Sequence, residues 1–160
     1  MNSAWAYDLW LKTSVWSFVP YMVSFGLVAP FLTYGLTPPQ APAGWAIVTM
    51  SLLGLAAHVA NGIPDIDTDR ATGSDGVVGR LGRSASGTLA VLALLAAMAL
   101  LVAHLNLPSS VAIAIMVGLT AIAIVAATSA GGRYLFTVLL VLALIAALLL
   151  CLDTSSVVAR

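Results

Sequence analysis

The chain has 160 residues, of which 61% are hydrophobic and 8% charged, and its formal net charge is zero. A soluble domain carries about 25% charged residues, so this composition excludes an ordinary water-facing surface. The mean hydropathy of +1.08 is typical of a chain whose solvent is mostly lipid. The zero net charge provides no basic field for nucleic acid. The single cysteine, Cys151, excludes a disulfide or a cysteine metal site within one chain.

Five apolar stretches are long enough to cross a bilayer, whose hydrocarbon core of about 30 Å needs roughly 20 helical residues. They cover approximately residues 14–36 (with Pro20 and Pro30 inside), 43–63, 84–105, 109–128 and 134–152. They predict an all-α fold, a polytopic transmembrane helix bundle of about five helices. We expect this bundle to form a single transmembrane domain over residues 1–160.

The connection over residues 64–83 is long and polar, whereas the other connections are short proline or glycine turns. A long charged segment among short turns commonly carries function. If it faces the cytoplasm, that side holds five of the six cations, namely Lys12, Arg70, Arg80, Arg83 and Arg133. Because cations concentrate on the cytoplasmic side, we expect an integral plasma (cell inner) membrane protein. Its N-terminus and the Asp-rich loop 64–83 would be cytoplasmic, and its C-terminus would be outside.

The acidic residues are concentrated at the start of this loop. All six acids of the chain are Asp, and three of them fall within five positions. Asn61, Asp65 and Asp69 are spaced four apart, so on a helix they form one stripe. Two carboxylates one turn apart repel each other unless a cation lies between them, and Mg²⁺ takes one or two carboxylates plus substrate phosphates. His58 continues the stripe into the membrane helix, where polar groups are costly and tend to be functional. The pattern favours a Mg²⁺ site over acids that merely solvate a loop.

Pro64 interrupts this stripe, because proline lacks a backbone N–H and kinks or restarts a helix. We therefore expect the membrane helix to end just before it and a short new helix to carry Asp65 and Asp69. Asp67 would point away from Asp65 on that helix. It is expected to act as a first-turn charge or as a partner for Arg70.

Three other acidic motifs fit less well. A calcium-binding EF-hand loop needs Gly and Glu where this chain has Arg70 and Gly76. The CDP-alcohol phosphotransferases begin with a run like Asp75-Gly-Val-Val-Gly-Arg80, but they need two further aspartates, and none follows until Asp153. An Asp-x-Asp pair, as in glycosyltransferases, is present but too short to be specific.

The second Asp-rich motif of the UbiA superfamily of intramembrane prenyltransferases has an Asn-x-x-x-Asp-x-x-x-Asp core and a Pro-x-Arg-Leu-Gly-like tail. This chain resembles it in the run Asn61-Gly-Ile-Pro-Asp65-Ile-Asp67-Thr-Asp69-Arg70-Ala-Thr-Gly73 and the later Gly79-Arg80-Leu81-Gly82. Upstream, Tyr7-Asp-Leu-Trp-Leu-Lys12-Thr13 is similar to a family stretch before the fifth helix, with Thr13 where the family has Arg. The five predicted helices would correspond to the family's fifth to ninth.

The resemblance implies a prenyltransferase (alkyl or aryl transferase) that moves a polyprenyl group from a prenyl diphosphate to an aromatic, quinoid or related acceptor. Asp65 and Asp69 would bind Mg²⁺ against the diphosphate and, with Lys12, would form the catalytic set. The remaining residues implied to bind substrate are Asn61, Arg70, Arg80 and Tyr7.

The family's first Asp-rich motif is missing from this chain, so the resemblance covers about half of the enzyme. We therefore expect a half-enzyme or subunit that works with a second chain carrying the first motif, or as a homodimer. Its other partners would be the lipid bilayer and the polyprenyl diphosphate, with no nucleic acid. The alternative is a non-catalytic membrane subunit, or a protein that binds prenyl lipids or assists assembly, derived from a UbiA-like half.

Overall fold

The structure, a computed structural model, describes residues 13–105 together with 117–118, 121, 137–138, 141–142, 144–145, 148 and 157–159. Within these residues the regular elements are all helical, which confirms the predicted all-α class for this part of the chain. The helices are Val19–Gly26 (α1), Val28–Tyr34 (α2), Gly44–Gly62 (α3), Ile66–Thr72 (α4) and Val77–His104 (α5). Most of the predicted spans 109–128 and 134–152 lies outside the described residues.

The first predicted span, 14–36, is shorter and less regular than expected. It forms α1 and α2, which are separated at Leu27, and the residues before Val19 form turns. Pro20 lies in the first turn of α1, where the missing N–H costs nothing because that donor has no helical partner. Pro30 lies inside α2 and cannot donate to the carbonyl of Gly26, four residues earlier. The helix is therefore interrupted at Gly26 and Leu27.

The second predicted span, 43–63, agrees with α3 to within one residue at each end. Ala43, before the helix, is extended with φ −68° and ψ 138°. Pro64 follows shortly after the last residue and lacks the N–H that the helix would need to continue. The predicted break is therefore present, and α4 begins at Ile66.

Most of the predicted loop 64–83 is helical, and the short helix expected after Pro64 is part of it. It holds α4 and the start of α5, which begins at Val77 rather than near residue 84. Gly82, with φ 77° and ψ 171°, interrupts α5, and glycine adopts a positive φ at no steric cost. The predicted start, near residue 84, coincides with the long regular part of α5 that follows this break. The first turns of α5 are polar, so hydropathy does not identify them as helix.

Two carbonyl groups just before the Gly82 break receive side-chain donors. The Ser86 Oγ donates to the Val78 carbonyl at 3.3 Å, and the Arg70 guanidinium donates to the Gly79 carbonyl at 3.0 Å. A break in a helix removes the regular N–H donors from the carbonyls of the preceding turn. Because buried carbonyls need a partner, these two hydrogen bonds replace the helical ones that the bend removes.

Helix α3 is the centre of the described bundle, with α1 on one side and α5 on the other. Its interface with α5 contains many buried alanines, which allow the two helices to approach closely. These alanines are Ala46, Ala56 and Ala60 of α3 and Ala90, Ala93 and Ala97 of α5. Larger side chains, such as Leu53 and Leu94, fill the space between them.

The crossing of α1 and α3 depends on two glycines. A Cβ atom built on Gly54 would lie 2.5 Å from the Tyr21 carbonyl oxygen and 2.9 Å from the Phe25 Cβ. A Cβ on Gly26 would lie 2.5 Å from the Ser51 Oγ. Gly54 therefore has no room for a side chain while the helices keep this spacing, because the clash is with backbone, whereas at Gly26 the Ser51 hydroxyl would have to rotate away.

Helices α3 and α5 have 19 and 28 residues and are long and apolar enough to cross a membrane. They meet this requirement by length and by composition. At the far end from Asn61, the chain near residue 158 pairs with the segment before α3. The Ala43 N–H donates to the Val157 carbonyl, and the Ala159 N–H donates to the Ala41 carbonyl at 3.0 Å.

Replacing Gly54 by Ala is expected to destabilise the fold by about 1–3 kcal/mol, because the methyl group collides with backbone atoms of α1. Gly87 of α5 is the matched control, since a Cβ there meets nothing within 4 Å. Gly87→Ala is expected to leave stability unchanged or raise it by up to about 1 kcal/mol through helix propensity. Thermal unfolding of the detergent-solubilised variants, followed by circular dichroism, measures both effects. Equal stability of the two variants would contradict the close α1–α3 contact.

Candidate functional site

The predicted acidic cluster lies where α3 ends and α4 begins. Asn61 is in the last turn of α3, and Asp65 precedes the first residue of α4. The Asp65 carbonyl accepts a hydrogen bond from the Asp69 N–H at 2.8 Å, which closes the first turn of α4. The chain thus leaves one helix and starts the next within three residues, and the acidic side chains stay close to the end of α3.

A cleft of about 310 Å³ opens beside this junction, and we call it the Asp cleft. It is lined by Ser17, Tyr21, His58, Asn61, Gly62, Asp65, Asp69, Gly76, Val78 and Gly79. They come from α1 and the turns before it, from the end of α3, and from α4 and the start of α5 together with the residue before each of these two helices. The structure therefore brings together Asn61, Asp65 and Asp69, the three residues that the fourfold spacing predicted to share a site.

The two carboxylates of the Asp cleft have different surroundings. Asp65 is exposed, and its carboxylate makes no hydrogen bond to another residue in the described part of the chain. Asp69 is partly buried, and its Oδ1 accepts a hydrogen bond from the Ser74 Oγ at 3.3 Å. The Ser74 N–H also donates to the Asp69 carbonyl at 2.9 Å. Asp69 is therefore held in place, whereas Asp65 keeps its oxygen atoms available to a ligand.

The two carboxylates fit a hard divalent cation. Mg²⁺ prefers oxygen ligands and usually keeps several waters or substrate phosphate oxygens beside one or two carboxylates. Among the described residues, no group of three or more His, Cys, Asp or Glu side chains is placed to hold a metal ion. Asp65 and Asp69 could thus supply part of a coordination shell, and a phosphate ligand would have to supply more of it.

The inner wall of the Asp cleft is formed around His58. The His58 Nε2 lies 3.1 Å from the Ser17 Oγ, within hydrogen-bonding distance. The ring of Tyr21 packs beside the imidazole, with the ring centroids 4.9 Å apart and the planes tilted by 54°. His58, which continues the polar stripe of the sequence, therefore has a polar partner inside the cleft.

Ser17 and Tyr21 are site residues that the sequence interpretation missed. They lie four residues apart in an otherwise apolar stretch, which places them on one face of a helical segment. That spacing was a usable signal. It carried little weight because serine and tyrosine are common in membrane helices and near their ends, whereas aspartates stand out.

The predicted arginine roles are only partly reflected in the structure. Arg70 donates to the carbonyl of Gly79, a residue that lines the Asp cleft, so its positive charge lies near the cleft wall. Arg80 is exposed and does not line the cleft. Asp67 was expected to pair with Arg70 if it paired at all, but its partner is Arg83, at 2.9 Å. The reason is that the extra helical turns at the start of α5 bring Arg83 beside α4, while Arg70 is used by the Gly79 carbonyl.

Two further predicted site residues, Tyr7 and Lys12, lie outside the described residues. Their proposed contacts with the substrate stay predictions. Asp75, which begins the alternative Asp-Gly motif, is not among the residues that line the cleft. Its Oδ1 is buried without a hydrogen-bond partner in the described part of the chain, and its side chain packs against Gly79.

Comparison with protein-family models, with curated proteins and with solved structures gives no match. The resemblance to the UbiA superfamily therefore depends on the sequence alone, namely on the motif from Asn61 to Gly82, the upstream stretch from Tyr7 to Thr13 and the predicted helix count. What the geometry adds is that the Asn and the two Asp residues at the motif's fourfold spacing line one cleft.

Proposed function

We propose that this chain is an integral membrane protein whose Asp cleft binds the diphosphate group of a polyprenyl diphosphate together with Mg²⁺, as one half of a UbiA-type prenyltransferase. One observation carries the proposal. Asn61, Asp65 and Asp69 line a single cleft at the end of α3, beside α5, the two helices that are long and apolar enough to span a bilayer. A ligand with a charged head and an apolar tail matches this combination.

The outer surface of the described helices supports the placement in a membrane. Large apolar side chains are exposed on α1 and α2, and Phe31 has 78% of its surface accessible. Leu27 and Tyr34 are also exposed, and together with Phe31 they follow the helical spacing of one face. Soluble monomers rarely expose contiguous apolar patches of this kind, whereas lipid is a suitable solvent for them.

The cleft size indicates which part of the donor it would hold. A volume of about 310 Å³ is at the lower end of the range for small-molecule sites, roughly 300–1,000 Å³. It suits a diphosphate and the first carbons of the chain rather than a whole polyprenyl group. The remaining tail would lie along the Ala-rich helices, where small residues leave room for it.

The proposed roles follow from the surroundings of each residue. Asp65 and Asp69 would hold the cation, and Asn61 would orient the bound groups from the end of α3. Mg²⁺ bound there would neutralise charge on the leaving diphosphate. Arg70, fixed at the cleft wall by the Gly79 carbonyl, would add positive charge beside the same group, and Arg80 would do so from the surface.

A second candidate function has its own supporting observation. The described residues offer two carboxylates in the cleft and no larger metal-binding group, which is less than a complete diphosphate clamp. In the catalytic form of the proposal, a second chain or a second copy supplies the missing ligands. In the alternative, the chain binds a prenyl lipid or assists assembly without catalysing transfer.

The proposed orientation places the N-terminus and the Asp cleft on the cytoplasmic side of the plasma membrane. The excess of cations at this end supports it. The pairing of residues near Val158 with the segment before α3 is also consistent with it, because it brings the C-terminal residues to the opposite end of α3 from Asn61.

Thiol labelling is expected to detect this orientation. In a Cys151→Ala background, Thr68→Cys would mark the Asp-cleft end and Gln40→Cys the opposite end, and both side chains are exposed. A membrane-impermeant maleimide applied to intact cells should modify the Gln40 variant and leave the Thr68 variant unmodified until the membrane is opened. Labelling of the Thr68 variant in intact cells would reverse the orientation.

Removal of either cleft carboxylate is expected to weaken Mg²⁺-dependent donor binding. Asp65→Asn and Asp69→Asn should each weaken the binding of farnesyl diphosphate by about 3 kcal/mol, roughly 100-fold. Isothermal titration of the detergent-solubilised chain, with and without Mg²⁺, measures the effect.

Asp67→Asn is the matched control for these variants. It removes the same charge from the same helix, but Asp67 does not line the cleft and pairs with Arg83 on the surface. Because exposed ion pairs contribute little, donor binding should be unchanged. If all three variants bind equally well, the carboxylates act only as surface charge and the proposal fails. If the wild-type chain binds the donor without Mg²⁺, the metal role fails.

A further inference from the structure

His58 is a titratable group in the Asp cleft that the proposed metal and diphosphate do not use. The cleft is lined by four titratable side chains, namely Tyr21, His58, Asp65 and Asp69. The two carboxylates are assigned to the cation. A phenol is protonated at neutral pH and is a poor base, whereas an imidazole is well suited to accept a proton there. His58 is thus the remaining base at the cleft wall.

The imidazole is held by two residues, Ser17 from the turns before α1 and Tyr21 from α1. Ser17 has only 3% of its surface accessible, and its Oγ lies 3.1 Å from the His58 Nε2. The Tyr21 ring packs beside the imidazole. Both residues belong to a different segment from His58, so the contacts fix the ring relative to the cleft rather than to its own helix.

The position of His58 along α3 matches the reacting end of a donor. His58 is three residues before Asn61, so it lies about 4.5 Å deeper along the helix axis than Asn61. A diphosphate held near Asp65 and Asp69 would place its first allylic carbons on this deeper side. An acceptor that attacks this carbon would therefore come within reach of the imidazole.

We propose that His58, positioned by Ser17, is the proton acceptor for prenyl transfer in the Asp cleft, an inference that rests on the proposed function. The C–O bond between the allylic carbon and the diphosphate breaks, and its electron pair leaves with the diphosphate. A ring carbon of a hydroxyl-bearing aromatic acceptor forms the new C–C bond. The proton displaced from that carbon passes to His58, which later returns it to water.

The test uses the full chain in lipid nanodiscs with farnesyl diphosphate, Mg²⁺ and para-hydroxybenzoate. His58→Gln keeps hydrogen-bonding capacity but cannot take the proton, so transfer should fall by roughly 100-fold or more while Mg²⁺-dependent donor binding is retained. His104→Gln is the control, because the only other histidine stacks on Trp45 at the opposite end of α3. It should transfer at the wild-type rate.

A second readout reports contact without turnover. Bound donor and Mg²⁺ should protect His58, but not His104, from carbethoxylation by diethyl pyrocarbonate, with mass spectrometry to locate the modified residue. Ser17→Ala should lower kcat with little change in KM, and Ser17→Thr, which restores the hydroxyl, should recover it. This split is expected of a positioning residue and not of one that only supports the fold.

The outcomes separate this inference from the proposed function. A wild-type chain that binds no donor overturns both. Two outcomes overturn only the role of His58, provided that the donor binds. In one, His58→Gln transfers at the wild-type rate; in the other, bound donor does not protect His58 from modification. Donor binding without any transfer by the wild-type chain excludes completion of the site by a second copy and supports the non-catalytic alternative, in which no acceptor proton is released, so it also overturns that role. Retained binding, lost transfer and selective protection together support it.

Discussion

The close contact between α1 and α3 is the constraint on which the described site depends. Gly54 lets the Tyr21 carbonyl lie against the α3 backbone. One helical turn further along α3, His58 meets Ser17 and the Tyr21 ring. A wider separation of the two helices would move both residues away from the imidazole. The polar inner wall of the cleft can therefore form because Gly54, in the apolar α1–α3 interface beside it, has no side chain.

The charged residues around the Asp cleft fall into two groups. Asp67 and Arg83 neutralise each other on the surface, and Arg70 is satisfied by the Gly79 carbonyl. Asp65 has no partner in the described part of the chain, and Asp69 has only the Ser74 hydroxyl and its own backbone turn. A structural acid cluster would be expected to pair its charges internally. Among the described residues, Asp65 and Asp69 line the cleft without an internal cation, and Asp75, outside the cleft lining, has none either. The cleft carboxylates are therefore open to a cationic ligand.

The sequence predicts the parts of this structure that depend on local chemistry. The bounds of α3 could be predicted because prolines lie close to both ends of an apolar run of membrane length. The grouping of Asn61 with Asp65 and Asp69 could be predicted because a spacing of four keeps side chains on one side even across a break. The start of α5 could not, since its first turns are polar and hydropathy does not distinguish a polar helix from a loop. The Asp67–Arg83 pair and the Ser17–His58 contact join distant segments, and only the packing of the helices determines such partners.

Helix α4 also contacts α5 on both sides of the bend in that helix. Arg70 reaches the Gly79 carbonyl on one side of Gly82, and Asp67 reaches Arg83 on the other. The short helix that carries the acidic cluster thus contacts both parts of its neighbour, by a hydrogen bond to a backbone carbonyl before the bend and by an exposed ion pair, which contributes little, after it. Arg70 therefore has a structural role that is separate from any ligand, because it is the side-chain donor to the Gly79 carbonyl. A chain of this fold with an empty cleft would still need a donor for that carbonyl, so the presence of Arg70 in a related chain would indicate the shape of the bundle rather than activity.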